Sequence, residues 1–100
     1  MQPAKRLEMI ADSIELQKLL AGLQKAGISR YTVIHNVEGW GVRGIMASTG
    51  DVTMLDTAYV IAFCTPEQVQ STVEILRPIL KRFGGSCYVS DVMEVKSNPD

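Results

Sequence analysis

A strand followed by a capped amphipathic helix occurs twice in the sequence, and this doubling constrains the fold more than any other feature. In the first copy, apolar residues alternate over residues 4–11 and predict a strand, because successive strand side chains point to opposite faces. Asp12 and Glu15 then form a capping box. Leucines follow at helical spacing, and Lys25 and Gly27 suit the end of a helix. The first copy therefore predicts a helix that begins after Asp12 and ends before Gly27.

The second copy begins with residues 56–64, DTAYVIAFC, which are apolar on both faces and predict a central strand. Thr65 and Gln68 have the spacing of a second capping box. The helix that follows contains Pro78, which is expected to kink it, and Gly84 suits its end.

Two further segments, residues 29–37 and 86–95, are rich in β-branched and aromatic side chains and predict the remaining strands. With right-handed crossovers, the order predicts an α+β fold, a ferredoxin-like βαββαβ sandwich with both helices on one sheet face. The 100 residues are expected to form a single domain, 1–100, with a tail at 96–100. The other sheet face is expected to carry apolar residues that self-association covers. These residues are Tyr31, Val33, Tyr59, Ile61, Tyr88 and Val92.

Composition argues against several classes of protein. The net charge is −1 with interspersed signs, so no basic surface for nucleic acid is expected. No apolar run approaches the roughly 18 residues of a membrane span, and the N-terminus meets charge before any long apolar run, which predicts a cytoplasmic protein without membrane insertion. Cys64 and Cys87 lack metal-ligand spacing and are expected to be free thiols. The single histidine, His35, suits a hydrogen-bonded strand position better than a ligand, so no metal is expected.

Residues 39–55 join the second and third predicted strands and are too many for a hairpin turn. Connections beyond about 12 to 15 residues are uncommon in compact domains and are usually functional or disordered. A tolerated insertion without function is one interpretation, since loop length costs little entropy. Trp40 and Met46 argue against it, because a solvated linker has little use for large apolar side chains.

Part of this loop, G-W-G-V-R-G, has the chemistry of an anion site. Gly39 and Gly41 allow backbone amides to come close to a ligand, and Arg43 can hold two phosphate or carboxylate oxygens. The turn at 84–86 offers further amides, either as a helix cap alone or as a cap that also contacts a ligand. Acylphosphatases share this size and fold, but their phosphate cradle follows the first strand, where this chain reads IADSIELQ. No catalytic residue is therefore predicted, and the protein is not expected to be an enzyme.

The element order, R-Y-T-V-I at 30–34, the G-x-G-x-R turn that opens the long loop, and a glycine-rich turn before the last strand together resemble the PII signalling proteins. The resemblance implies a homotrimer whose T-loop lies between strands 2 and 3. The loop lacks the tyrosine, and the turn lacks the lysine, of nitrogen-regulatory members. Residues 48–50, STG, are similar to a stretch in PII-like proteins of inorganic-carbon metabolism. Of these, the carboxysome-associated type is more similar than the bicarbonate-transporter-associated type, which often has a C-terminal cysteine pair.

For this chain the resemblance implies an adenine nucleotide, ADP or AMP, in the clefts between subunits, bicarbonate as a further ligand, and no required cofactor. Ordering of loop 39–55 would control a transporter or a carboxysome-related protein through Trp40 and Met46. The alternative is a PII-fold assembly or transporter-regulatory subunit with another small ligand or none. The residues carried over to the nucleotide site are Thr32, Gly39, Gly41, Arg43, Ala62, Cys64, Gly84, Gly85 and Ser86.

Overall fold

The computed structural model describes residues 1–37 and 57–96. Within these ranges the order of strands and helices is the predicted one. The predicted loop at 39–55 lies outside the described residues, as does the predicted tail apart from Lys96. The elements are β1 (Gln2–Asp12), α1 (Ser13–Lys25), β2 (Tyr31–Ile34), β3 (Thr57–Cys64), α2 (Val69–Phe83) and β4 (Ser86–Glu94).

The four described strands form one antiparallel sheet in the order β2-β3-β1-β4. On the central strand β1, Leu7 lies opposite Ala62 of β3 on one side and Val89 of β4 on the other. The order places β2 and β4 at the two edges. This topology confirms the α+β, ferredoxin-like fold.

Both helices pack on one face of the sheet and enclose the core. Leu7 and Met9 of β1 are 0% exposed, as are Leu19 and Leu23 of α1 and Leu76 of α2. Burial of an apolar side chain of this size contributes about 1.5 to 3 kcal/mol relative to leaving it in water. The alternating apolar residues of β1 and the regularly spaced leucines of α1 therefore face each other across the core, as the sequence predicts.

The first helix begins and ends where the sequence predicts. Asp12 Oδ1 accepts hydrogen bonds from the backbone N–H groups of Ile14 at 3.1 Å and Glu15 at 3.2 Å, while Glu15 Oε1 accepts from Asp12 N–H at 3.2 Å. The helix ends at Lys25, and Gly27 has φ 87°, a conformation that glycine adopts without steric cost. The capping box and the terminal glycine are both confirmed.

The second helix begins later than predicted. Thr65 N–H donates to Gln68 Oε1 at 2.9 Å, and Gln68 N–H donates to Thr65 Oγ1 at 3.2 Å, so the predicted reciprocal bonds form. They close a turn, and the helix itself spans Val69–Phe83. It continues through Pro78 and ends at Gly84, which has φ 77°.

The strand register corrects the predicted composition of the sheet face that the helices leave open. Tyr31 lies opposite Ala62, and Val33 lies opposite Val60. Both of these partners are 0% exposed beneath the helices, so Tyr31 and Val33 lie on the helix side of the sheet. The rest of the prediction is correct, because the register places the remaining four residues on the other face. This open face carries Tyr59, Ile61, Tyr88 and Val92.

Candidate ligand site

The base of segment 39–55 and the turn at 84–86 lie at the same end of the sheet. Val37 N–H donates to Thr57 O at 3.0 Å, which brings the two described ends of the connection together. Thr57 pairs with Asp12, and Ser86 pairs with Ile10, two residues away on the same strand. We call this the loop end of the sheet. The predicted ligands Gly39, Gly41 and Arg43, and the partner-facing Trp40 and Met46, lie outside the described residues, in the segment that starts and finishes here.

The fold itself explains why both Gly84 and Gly85 are glycines. Gly84 adopts φ 77°, in the left-handed region. At Gly85, a Cβ would stand 3.1 Å from the carbonyl oxygen of Ile10 and 3.2 Å from Glu15 Oε1. Packing therefore accounts for Gly84 and Gly85 whether or not their amides also contact a ligand.

Ser86 has a side chain with unused hydrogen-bonding capacity. Its Oγ is buried and has no hydrogen-bond partner among the described residues. The residue pairs with Ile10, whose side chain is on the open face, so the hydroxyl lies on that face next to the turn. A buried hydroxyl without a partner costs about 1 to 3 kcal/mol, which a ligand oxygen would offset.

Two more predicted residues, Cys64 and Thr32, lie away from the loop end. Cys64 closes β3 and pairs with Lys5, five residues along β1 from Ile10. At about 3.4 Å per residue, this places Cys64 roughly 17 Å from Ser86 along the strand direction. Thr32 is exposed on the edge strand β2, with two strands between it and β4. We call the end that carries Cys64 the far end of the sheet.

A cavity of about 170 Å³ lies at the far end. Cys64 and Arg30 line it, together with residues from the α1–β2 connection and the segment after β3. Arg30 was missed as a site residue by sequence reasoning, although it lies within the predicted strand 29–37 and carries the only charge in the observed connection between α1 and β2. Its Nη1 donates to Glu94 Oε2 at 3.3 Å, and this ion pair holds the guanidinium in a defined position at the rim of the cavity.

The remaining predicted residue, Ala62, is part of the core. It is 0% exposed and lies opposite Leu7 and Tyr31, so its side chain has no surface to offer a ligand. The neighbouring thiol of Cys64 is also unsuited to chemistry. Burial raises its pKa, against a smaller opposing effect of Lys5, and a protonated thiol is a poor nucleophile.

A polar network on the open face was also missed. Arg6 Nη2 donates to Glu8 Oε1 at 3.1 Å, and the Tyr59 hydroxyl donates to Glu8 Oε2. The bond from Tyr59 is the largest cause that lowers the pKa of Glu8, with Arg6 adding to it and partial burial opposing it. The same bond raises the pKa of Tyr59. Sequence alone gave no signal, because the three residues come from two strands whose register was unknown.

Other kinds of site find no support in residues 1–37 and 57–96. These ranges contain no group of three His, Cys, Asp or Glu side chains that could hold a metal ion. Cys64 and Cys87 are both free thiols, as predicted. No described helix is long and apolar enough to cross a membrane.

The sheet order and the connection between β2 and β3 define a class of small ferredoxin-like domains with a long central connection. The sequence profile of the family described as nitrogen regulatory protein P-II matches residues 4–98. The chain belongs to this family, whose members are signalling proteins rather than enzymes.

Solved structures of PII-like proteins are similar over nearly the whole chain. CPII, a nitrogen regulatory PII-like protein from Thiomonas intermedia K12 bound to ADP, AMP and bicarbonate, is 25% identical, with a TM-score of 0.78 over 96% of this chain and 97% of that one. CPII bound to ADP and bicarbonate is 25% identical, with a TM-score of 0.75 over 92% and 88%. A duf3240 family protein from Shewanella baltica OS155, 13% identical, has a TM-score of 0.69 over 100% and 98%, which shows the fold alone. Among curated proteins, none matches the sequence.

Proposed function

We propose that the protein is a PII-like signalling protein that binds ADP or AMP, and bicarbonate as a further ligand, in the clefts between the subunits of a homotrimer. Binding changes the conformation of segment 39–55, which controls a transporter or a carboxysome-related protein. The departures from the nitrogen-regulatory sequence pattern support a role in inorganic-carbon metabolism, in the carboxysome-associated or bicarbonate-transporter-associated group.

The observation that carries this proposal is the separation of the predicted site residues. The turn at 84–86 and Cys64 lie at opposite ends of the sheet, roughly 17 Å apart along the strands. Thr32 and Ser86 lie on opposite edges of that sheet. Within one chain a nucleotide would have to extend along the whole sheet to touch both groups. Two chains side by side bring the loop end of one to the far end of the next, and the ligand then fits between them.

The ligand class is supported by the relatives. CPII, which is 25% identical over 96% of this chain, is bound to ADP, AMP and bicarbonate. In our proposal the phosphates are held by Arg43 and by the backbone amides of Gly39, Gly41 and the turn at 84–86. The cavity beside Cys64 and Arg30 on the neighbouring chain receives the adenine ring of the nucleotide. Thr32 of that neighbouring chain contacts the ligand from the edge strand β2.

The trimer is supported by the open face of the sheet. Tyr88 is 62% exposed in the single chain, and Ile61 lies on the same face, on the other side of Glu8. A sheet face with this many apolar side chains is unstable in water and marks an interaction surface. A closed ring of three chains, each of which turns this face toward the common axis, covers it.

The energy available from the ligand is of the size that a switch needs. Moving a two-state equilibrium from 1:99 to 99:1 requires a differential affinity of about 5.5 kcal/mol. Hydrogen bonds to charged groups contribute about 1.5 to 3 kcal/mol each. Arg43 and a few backbone amides, making these bonds in only one state of segment 39–55, reach that total.

Isothermal titration calorimetry against AMP, ADP, ATP and cyclic AMP, each with and without bicarbonate, tests the proposal. We expect ADP or AMP to bind, and bicarbonate to add heat only when the nucleotide is present. The single tryptophan, Trp40, lies in segment 39–55, so its fluorescence should change during the same titration. The absence of binding heat with all of these compounds would contradict the proposal. It would favour a PII-fold assembly or transporter-regulatory subunit with another small ligand or none.

A further inference from the structure

The two helices leave a groove between them on the side that faces away from the sheet. They approach closely at Gly22, where a Cβ would stand 3.2 Å from Leu76 Cδ2 and 3.3 Å from Ile79 Cδ1. A cavity of about 470 Å³ lies along this line of approach. Its floor is apolar and consists of Ala21, Gly22, Ile75, Pro78 and Ile79.

The rim of the groove is basic. Lys18 and Lys25 line it from α1 and Arg82 lines it from α2, and all three are exposed. Together the two helices carry five basic and two acidic residues, a net charge of +3, although the whole chain has a net charge of −1. One of the two acidic residues, Glu15, is 0% exposed. The two helices therefore carry an excess of positive charge, which the rest of the chain more than offsets.

An exposed apolar residue extends the groove. Ile14 is 73% exposed in the first turn of α1. It precedes Lys18 by four residues and Ala21 by seven, so it lies on the same stripe of the helix. A large apolar side chain left in water beside a groove with an apolar floor favours a protein contact.

We propose that this groove is a docking surface for an acidic amphipathic helix of a partner protein. Lys18 and Lys25 are about 10 Å apart along the axis of α1, which matches two turns of a docked helix. Apolar side chains of the partner, spaced at i, i+3 and i+7, enter the floor, and its glutamates or aspartates meet the rim. A flat anionic membrane would reach the projecting cations but not the recessed floor. Charge complementarity therefore favours a peptide.

This surface is independent of the nucleotide site. The helices cover the sheet face opposite the one that carries Tyr59 and Tyr88, so trimer formation through the open face leaves the groove accessible. The lining of the groove includes no residue of the turn at 84–86 and none of the far-end cavity. Docking can therefore be tested separately from nucleotide binding.

The test uses the full chain and a labelled 18-residue peptide with leucines at i, i+3 and i+7 and glutamates at the flanking positions. A peptide of the same composition in scrambled order serves as the first comparison. Fluorescence anisotropy should show binding of the amphipathic peptide that weakens as salt is added, and NMR shift changes should centre on Ala21 and Ile79. No binding, or equal binding of the scrambled peptide, would overturn the proposal.

Two charge reversals make a matched pair. Lys25→Glu changes the rim of the groove, whereas Lys81→Glu makes the same change on α2 beside a different cavity, the one between α2 and β4. Lys25→Glu should weaken the peptide about fivefold, while Lys81→Glu should change the affinity less than about twofold. Equal loss in both variants would show that only general positive charge attracts the peptide and would overturn the docking site.

A third variant and a vesicle assay complete the test. Ala21→Trp fills the groove from an exposed position, so it should remove binding while leaving the unfolding transition intact. Phosphatidylglycerol vesicles should not bind the protein with an affinity that Lys25→Glu weakens. If they do so while the peptide stays unbound, the groove is a membrane contact and the proposed partner is wrong.

Discussion

The Tyr59 hydroxyl donates a hydrogen bond to the Glu8 carboxylate across the open face, and Arg6 holds the other oxygen of the same carboxylate at 3.1 Å. Glu8 and Tyr59 therefore have partners before any second chain arrives, whereas Arg6 Nε is buried without a hydrogen-bond partner among the described residues. This matters because polar groups that become buried without a partner destabilise an interface. A face with apolar residues around a carboxylate that is already paired within the chain is suited to self-association with one defined register.

Replacing Tyr59 by phenylalanine should raise the pKa of Glu8 toward its ordinary value, because the variant loses the largest cause of the lowered pKa. A carboxyl whose pKa is lowered by folding stabilises the fold above its unfolded pKa, about 4.3, and this contribution is lost as pH falls through the folded pKa. Tyr59→Phe should therefore be less stable than the natural protein at neutral pH, and the difference should vanish in acid. Carbon-13 NMR titration of Glu8 and urea unfolding at both pH values measure this.

Tyr88→Phe is the matched control for that experiment. Tyr88 lies directly opposite Glu8 on β4 and is on the same face, but it makes no hydrogen bond to Glu8 in the structure. Its replacement should leave the Glu8 titration where it is. An unchanged titration in Tyr59→Phe as well would show that the tyrosine bond does not set the pKa.

Gly85→Ala should destabilise the protein by about 1 to 3 kcal/mol, because the added methyl group meets a backbone carbonyl that cannot move away. The contact with the oxygen of Ile10 would be 3.1 Å. Gly22→Ala is the comparison, since its new contacts are the ends of flexible side chains at 3.2 Å and beyond. There the gain in helix propensity, about 1 kcal/mol, opposes the crowding. Urea unfolding should rank Gly85→Ala as clearly the more damaging change, and the reverse order would contradict this packing account.

Ile61→Lys should convert the proposed trimer to monomers, because it places a charge in the middle of the face that would be buried. Ile14→Lys is the same substitution on the exposed helix side and should leave the assembly unchanged. Sedimentation velocity gives the mass of each variant. A trimer that survives Ile61→Lys would move the subunit contact to another face of the molecule.

Arg43→Ala should weaken ADP about 10- to 100-fold, since a hydrogen bond to a charged phosphate contributes about 1.5 to 3 kcal/mol. The urea midpoint of this variant should equal that of the natural protein. Arg77→Ala removes the same charge from α2 and should bind ADP normally. An ADP affinity that Arg43→Ala does not change would remove this arginine from the nucleotide site.

Local signals in the sequence predicted much of the fold. The capping box of Asp12 and Glu15 and the left-handed glycines at 27 and 84 depend on backbone geometry within a few residues, and each is confirmed. The orientation of β2 in the sheet was harder to predict, because alternation shows which residues share a face but not which face meets the helices. Tyr31 and Val33 were therefore assigned to the wrong side, and only the pairing with β3 corrects this.

The candidate site was predictable only in part. Through its family resemblance, the sequence implied that the turn at 84–86 and the glycine-rich segment contribute to one site, and the strand register brings the base of that segment to the same end of the sheet. It did not separate Ala62 from Cys64, since a strand that is apolar on both faces gives no sign of which side chain opens to a cavity. Arg30 and the network around Glu8 depend on contacts between distant segments, which sequence spacing does not contain.

The placement of Cys64 and Ser86 at opposite ends of one sheet has a thermodynamic consequence. If each binding cleft needs both ends, a nucleotide acts as a clamp across two protomers, and affinity and assembly are linked by mass action. Dilution should then release the metabolite, and the metabolite should oppose dissociation. The signal that such a protein sends would report its own local concentration together with that of its ligand.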